Sequence, residues 1–237
     1  MFKKTPETMR LTLRALARLL AYPGAGLRAQ MPALIDALQT EQALPAARIA
    51  ELQALAQQIC AMDAYEAEGR YVDTFDRGHR TSLHLFEHIH GDSRERGPAL
   101  IDLTQTYERA GLYLDAQELP DHLGVVLEFA STQPTAVARE FLAEMAHILN
   151  ALFSALQAKA SPYASVLAAV LEAAGETAQA VAIAPEPDMD EAWAEPEAFD
   201  GCATKGQNRP GQAQPLHFVP ASHKTTRASS SSQGVSP

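Results

Sequence analysis

Residues 118–129, Glu-Leu-Pro-Asp-His-Leu-Gly-Val-Val-Leu-Glu-Phe, constrain the fold more than any other stretch. Pro120 stands where a helix tolerates a missing N–H, and Asp121 falls in a first turn whose amide donors point outward. The sequence then becomes apolar on nearly every side. Leu119, Leu123, Val126 and Ala130 share one row, and His122, Val125 and Phe129 share a second. A helix apolar on two faces belongs inside a bundle rather than on its surface. Its N-terminal end nevertheless gathers Asp115, Glu118, Asp121 and His122, so this end is the first candidate for a functional surface. The plainer alternative is that Asp121 satisfies helix-end amides and His122 makes a local hydrogen bond.

The other apolar patterns are helical too. Leu13, Leu16 and Leu20 make a stripe in a first helix over 7–21, with Arg10, Arg14 and Arg18 recurring every fourth residue as a basic ridge. The ridge is either a wet helix face or a surface for an acidic partner or an anionic membrane. A short helix enters at Pro32, and Ile49, Leu52, Leu55, Ile59 and Met62 line a longer one. Tyr65, Tyr71, Val72 and Phe75 follow, either continuing that helix or forming a second beyond a bend. Residues 82–90 read as a short amphipathic helix between glycine-containing loops, and residues 98–114 as a further helix. From Pro134 to Lys159 a stripe of Val137, Phe141, Met145, Ile148, Leu152 and Leu156 predicts one continuous helix. Ser161-Pro162 opens a last one ending near Gly175.

This pattern predicts an all-α, single-domain helical bundle over 1–175. Beyond it, residues 176–237 hold seven of the fifteen prolines, eight acidic against four basic residues, and a serine run. Such composition predicts a largely disordered acidic, Ser/Pro-rich tail. Trp193 and Phe199 interrupt it within an acidic island at 188–199, which suits an anchor that docks on the domain or captures a partner.

Charge and motifs narrow the function. A net charge of −10 without a long basic run weighs against a broad nucleic-acid surface. Cys60 and Cys202 are the only cysteines, too few for a disulfide scaffold or a four-cysteine zinc site, and a reducing cytoplasm is the expected compartment. The arginines interrupt the N-terminal leucine run, so neither a secretory signal nor a stable membrane span is expected. No glycine-rich nucleotide loop and no nucleophile elbow occurs. His84 and His88 share a helix face by spacing, which leaves a metal-dependent enzyme as one alternative. A membrane-surface adaptor using the arginine ridge is another. The missing catalytic set favours binding in a groove between helices, with an acidic mouth at Asp121 suited to a basic peptide.

Several segments together resemble the molybdenum cofactor assembly chaperones, or delta subunits, of respiratory nitrate reductases. They are Arg18-Leu19-Leu20-Ala21-Tyr22-Pro23, Tyr71-Val72-x-Thr74-Phe75-Asp76, residues 82–97, residues 118–129 and Trp193-x-Glu195-Pro196-x-x-Phe199. The resemblance implies a cytoplasmic, all-helical protein that is not an enzyme and carries no cofactor of its own. The implied partner is the apo catalytic (alpha) subunit, including its N-terminal segment, alone or within an alpha–beta complex. The chaperone assists insertion of the molybdenum cofactor there and delays membrane docking. On this resemblance the expected partner-binding residues are Tyr22, Tyr71, Phe75, His84, Phe86, His88, Glu118, Asp121, His122 and Trp193.

Overall fold

The structure is a computed structural model that describes residues 8–91, 93–115 and 118–182. The island at 188–199, with Trp193, lies outside the described residues. Among these residues the regular structure is helical: α1 (Arg10–Leu19), α2 (Ala25–Glu41), α3 (Ala46–Ala61), α4 (Ala64–Phe75), α5 (Glu87–His90), α6 (Arg96–Arg109), α7 (Leu123–Thr132), α8 (Thr135–Glu144), α9 (Ala146–Ala158) and α10 (Ala164–Ala174). A 3-10 turn at His79–Thr81 and one isolated antiparallel bridge between His84 and His122 complete it. The all-helical expectation therefore holds.

The central helix is α10. Every residue from Val166 to Leu171 is fully buried, and the helix packs against α9, α8, α1 and α3. Small Ala168 and Ala169 let neighbours approach closely while Val166, Leu167, Val170 and Leu171 fill the space between them. The α1 stripe of Leu13, Leu16 and Leu20 is also fully buried, and α1 lies mainly on α7 and α2. Arg48 on α3 reaches Glu172 on α10 through Nε at 3.3 Å and Nη2 at 3.1 Å, a two-pronged contact between part-buried groups. The last turn of α10 closes by a Schellman motif: the Gly175 amide donates to Glu172 O at 3.0 Å and the Glu176 amide to Leu171 O at 2.8 Å.

Helix boundaries depart from the sequence expectations at four places. Helix α2 starts at Ala25 and carries Pro32 inside it. The proline leaves the Arg28 carbonyl without its helical donor, and Cys60 Sγ approaches that oxygen at 3.7 Å. Of the two alternatives left open for residues 65–75 the second holds: helices α3 and α4 are separate, with Asp63 capping α4 through the Tyr65 amide at 2.9 Å. The expected continuous helix from Pro134 breaks at Met145 into α8 and α9, bent by 67°. Neither proline nor glycine marks that break. It lets Phe141 stack against Phe129 at 5.1 Å while Leu152 and Leu156 stay in the main core. Finally, α7 starts at Leu123, not at Pro120, and residues 82–90 are helical only over Glu87–His90.

Candidate partner-binding site

The last two departures have one cause, because these segments use their backbone groups on each other. The Leu123 amide donates to Leu83 O at 2.8 Å, and the Leu85 amide donates to Asp121 O at 3.0 Å. This short ladder holds 83–85 beside 121–123 and prevents either stretch from continuing as helix. Asp121 has no exposed surface, and its Oδ2 accepts the Phe86 amide at 3.0 Å. Tyr107 on α6 fixes the other side by donating from its hydroxyl to Pro120 O at 2.8 Å.

Charge balance around Asp121 comes from His84 and Arg96. His84 Nδ1 lies 3.5 Å from Asp121 Oδ1, a separation that fits charge attraction better than a formed hydrogen bond. Both atoms are buried and lack a hydrogen-bond partner. Arg96 Nη2 lies 3.9 Å from Asp121 Oδ2 and 3.1 Å from Glu87 Oε1. Burial pushes the Asp121 carboxyl up, but His84, the Phe86 amide and Arg96 outweigh it and hold the group below the usual carboxylate range. Asp121 in turn raises His84, against the opposing effect of burial.

His122 caps α7. Its Nδ1 accepts the Gly124 amide at 3.2 Å, which requires that nitrogen to be unprotonated. Burial lowers this histidine, and the neighbouring His84 lowers it further. The two rings meet edge to face at 5.2 Å. A Cβ on Gly124 would stand 3.1 Å from His122 Nδ1, so this glycine makes room for the cap.

The remaining expected residues occupy two environments. Tyr71 and Phe75 are buried in an aromatic cluster with Tyr163, and the Tyr71 hydroxyl donates to Leu20 O at 2.8 Å. Tyr22 packs edge-on against Tyr71 at 5.6 Å and remains 50% exposed. His84, Phe86 and His88 are half-buried, while Glu118 is exposed. Thus the structure gathers His84, Phe86, Asp121 and His122 at one locus and places Tyr22, Tyr71 and Phe75 at another.

Two sequence readings need correction. Asp121 forms no open acidic mouth, because it is enclosed and partnered by Phe86, His84 and Arg96. Nor do His84 and His88 converge on a common ion. His88 Nε2 meets Ser82 O at 2.9 Å, whereas His84 faces Asp121, and no metal-holding group of three or more His, Cys, Asp or Glu occurs among the described residues.

One surface was not anticipated as a unit. A groove of about 410 Å³ runs between α1, α7 and the segment after α6, with Arg14, Arg18, Leu112, Val125 and Phe129 in its lining. The sequence supplied the arginine ridge and the two-faced helix, but their juxtaposition requires the tertiary fold. Among the described residues, no single helix is long and apolar enough to cross a membrane; only the bent α8–α9 pair passes by length and composition.

Comparison with known proteins identifies the family. The family described as nitrate reductase delta subunit matches residues 25–169. The chain is 38% identical over 191 residues to the nitrate reductase molybdenum cofactor assembly chaperone NarJ of Escherichia coli K12, covering 80% of each chain. It is 38% identical over 126 residues to the probable chaperone of the same description, NarW, from that organism, covering 53% of this chain and 54% of the relative. The probable NarJ chaperone of Bacillus subtilis 168 is 32% identical over 169 residues, covering 69% of this chain and 88% of the relative. With its matched region spanning α2 to α10, the chain belongs to the nitrate reductase delta subunit family.

Proposed function

We propose that this protein is a maturation chaperone for respiratory nitrate reductase. It binds the apo catalytic subunit, including the N-terminal segment, alone or as an alpha–beta complex. It assists molybdenum cofactor insertion and delays membrane docking until the subunit is mature. The observation that carries this reading is the match to NarJ over 80% of both chains. The chaperone acts in the cytoplasm, without catalysis and without a cofactor of its own. Holding the unfinished subunit lowers its free concentration and covers surfaces that later meet another subunit.

The expected binding residues divide into contact and support roles in this reading. Tyr22 and Glu118 are exposed enough to touch the client, and His84, Phe86, His88 and His122 present partial surfaces beside them. Tyr71 and Phe75 support Tyr22 from below, and Asp121 holds the 83–86 segment in place. Trp193, in the acidic island at 188–199, supplies a further contact with the client.

Molybdenum content of the client tests the proposal. In a host lacking its own delta subunit, co-expression with this chain should yield a catalytic subunit loaded with molybdenum cofactor. An equally loaded subunit without the chain, or an unloaded one despite soluble chaperone, would overturn the role.

A further inference from the structure

Arg14 and Arg18 stand on the rim of the groove between α1 and α7, and their hydrogen-bond partners are neutral. Arg14 Nε donates to Ser131 Oγ at 3.3 Å, and Arg18 Nη2 to Gln30 Oε1 at 3.3 Å. Neither guanidinium forms an ion pair among the described residues, although the chain carries 29 acidic against 19 Lys and Arg residues. Arg10 continues the same exposed ridge one helical turn earlier. Beneath the rim of this groove of about 410 Å³, Val125, Phe129 and Leu112 form an apolar floor, over a small second core built on Leu103, Tyr107 and Phe129. Among the described residues, Glu128 is the one carboxylate in the lining, against two guanidiniums.

We infer that this groove docks an acidic amphipathic helix of the client, with its apolar side chains on the floor and its carboxylates against Arg14 and Arg18. The argument is charge complementarity. Fourfold spacing places Arg10, Arg14 and Arg18 about 6 Å apart in succession, and acids spaced by four residues on a facing helix repeat at the same rise. A partner carboxylate meets guanidiniums that retain donors, whereas a partner lysine meets a net repulsion. The concave floor favours a helix over a bilayer, since a flat lipid surface reaches the arginines but cannot fill the hollow between them. This docking rests on the chaperone reading for its client, but its chemistry can be tested without one.

The test uses the full chain and a synthetic amphipathic helix with leucine on one face bordered by glutamate. The control is the same peptide with lysine in place of glutamate. Fluorescence anisotropy should show the glutamate peptide binding at least about tenfold tighter, a difference of about 1.4 kcal/mol. Arg18→Glu, at a side chain whose hydrogen-bond partner among the described residues is Gln30, leaves the Arg14–Ser131 contact intact and should abolish that preference. Equal affinity for both peptides, or an unchanged preference in R18E, would overturn the inference. So would salt-sensitive capture of phosphatidylglycerol vesicles by the same arginines without a glutamate-peptide preference. In a parallel arm, apo catalytic subunit recovered equally by wild type and R18E would remove the client from this groove and leave the chaperone reading standing. Failure of the wild type to recover it would count against that reading, while the peptide preference still decides the groove.

Discussion

At the scale of single residues, Asp121 illustrates how a polar signature acts through burial. Its carboxylate is enclosed and holds a backbone amide, with His84 and Arg96 beside it, so its first consequence is the shape of residues 83–86. Asp121→Ala should cost about 2–4 kcal/mol, because removing one partner leaves buried donors uncompensated. A chemical-denaturation midpoint measures that loss. Asp121→Asn retains the shape and should lower the His84 pKa, which proton NMR of the imidazole would detect. The histidines give opposite pH signatures. His84 is raised in the fold, so its contribution is fully present below the unfolded value of about 6.5 and is lost as pH rises through the folded pKa. His122 is lowered, so its contribution is present above about 6.5 and is lost as pH falls toward its folded pKa. His84→Gln should therefore destabilise more at pH 6 than at pH 8.5. A larger loss at the higher pH would contradict the assignment of Asp121 as its partner.

At the scale of elements, termini and turns carry much of the specificity. Helix α1 has no N-cap side chain of its own; Glu41, at the end of α2, accepts the Leu11 amide at 3.2 Å and the Thr12 amide at 2.6 Å. Glu41→Ala should cost about 1–2 kcal/mol, the range for losing a charged helix cap, and a thermal melt will register it. Ala160 ends α9 with φ of 50°, and the Ser161 amide reaches back to Leu156 O at 2.9 Å. Ala160→Gly should stabilise by up to about 1 kcal/mol, since glycine adopts this left-handed conformation freely. A lower midpoint for A160G would contradict that account. These devices also show which elements could be read in advance. The 3.6-residue periodicity announced α1, α3 and α10, because burial of a stripe is written locally. The cap from Glu41, the break at Met145 and the late start of α7 depend on partners from 12 to 40 positions away. No local pattern announces them.

At the scale of the whole molecule, one main core and a smaller aromatic core divide the work. The main core runs through α1, α7, α9 and α10; the smaller one underlies the groove. The sequence centred attention on residues 118–129, whereas α10 occupies the middle of the bundle. Alanines hid its central place, because a buried helix made of small residues resembles an ordinary high-propensity helix until its neighbours are known. Periodicity gave the helical class, and shared segments gave the family. The candidate site was legible as residue types around His84, Asp121 and His122, but their enclosure was not, since a titratable residue's exposure depends on contacts distant in sequence. Residues 178–182 leave the bundle along α9, with the Gln179 amide donating to Asn150 Oδ1 at 2.7 Å and the Val181 amide to Ser154 Oγ at 2.9 Å. A chain ending at Ala182 should retain the melting temperature of the full chain within about 2 °C, a shift below that of 1 kcal/mol in a domain this size.

The most direct test of the chaperone account is affinity co-purification with a nitrate reductase operon expressed in a host unable to make the molybdenum cofactor. The account predicts stable recovery of the apo catalytic subunit, lost when that subunit's N-terminal segment is removed. Folded chaperone and soluble apo subunit that elute separately would contradict it.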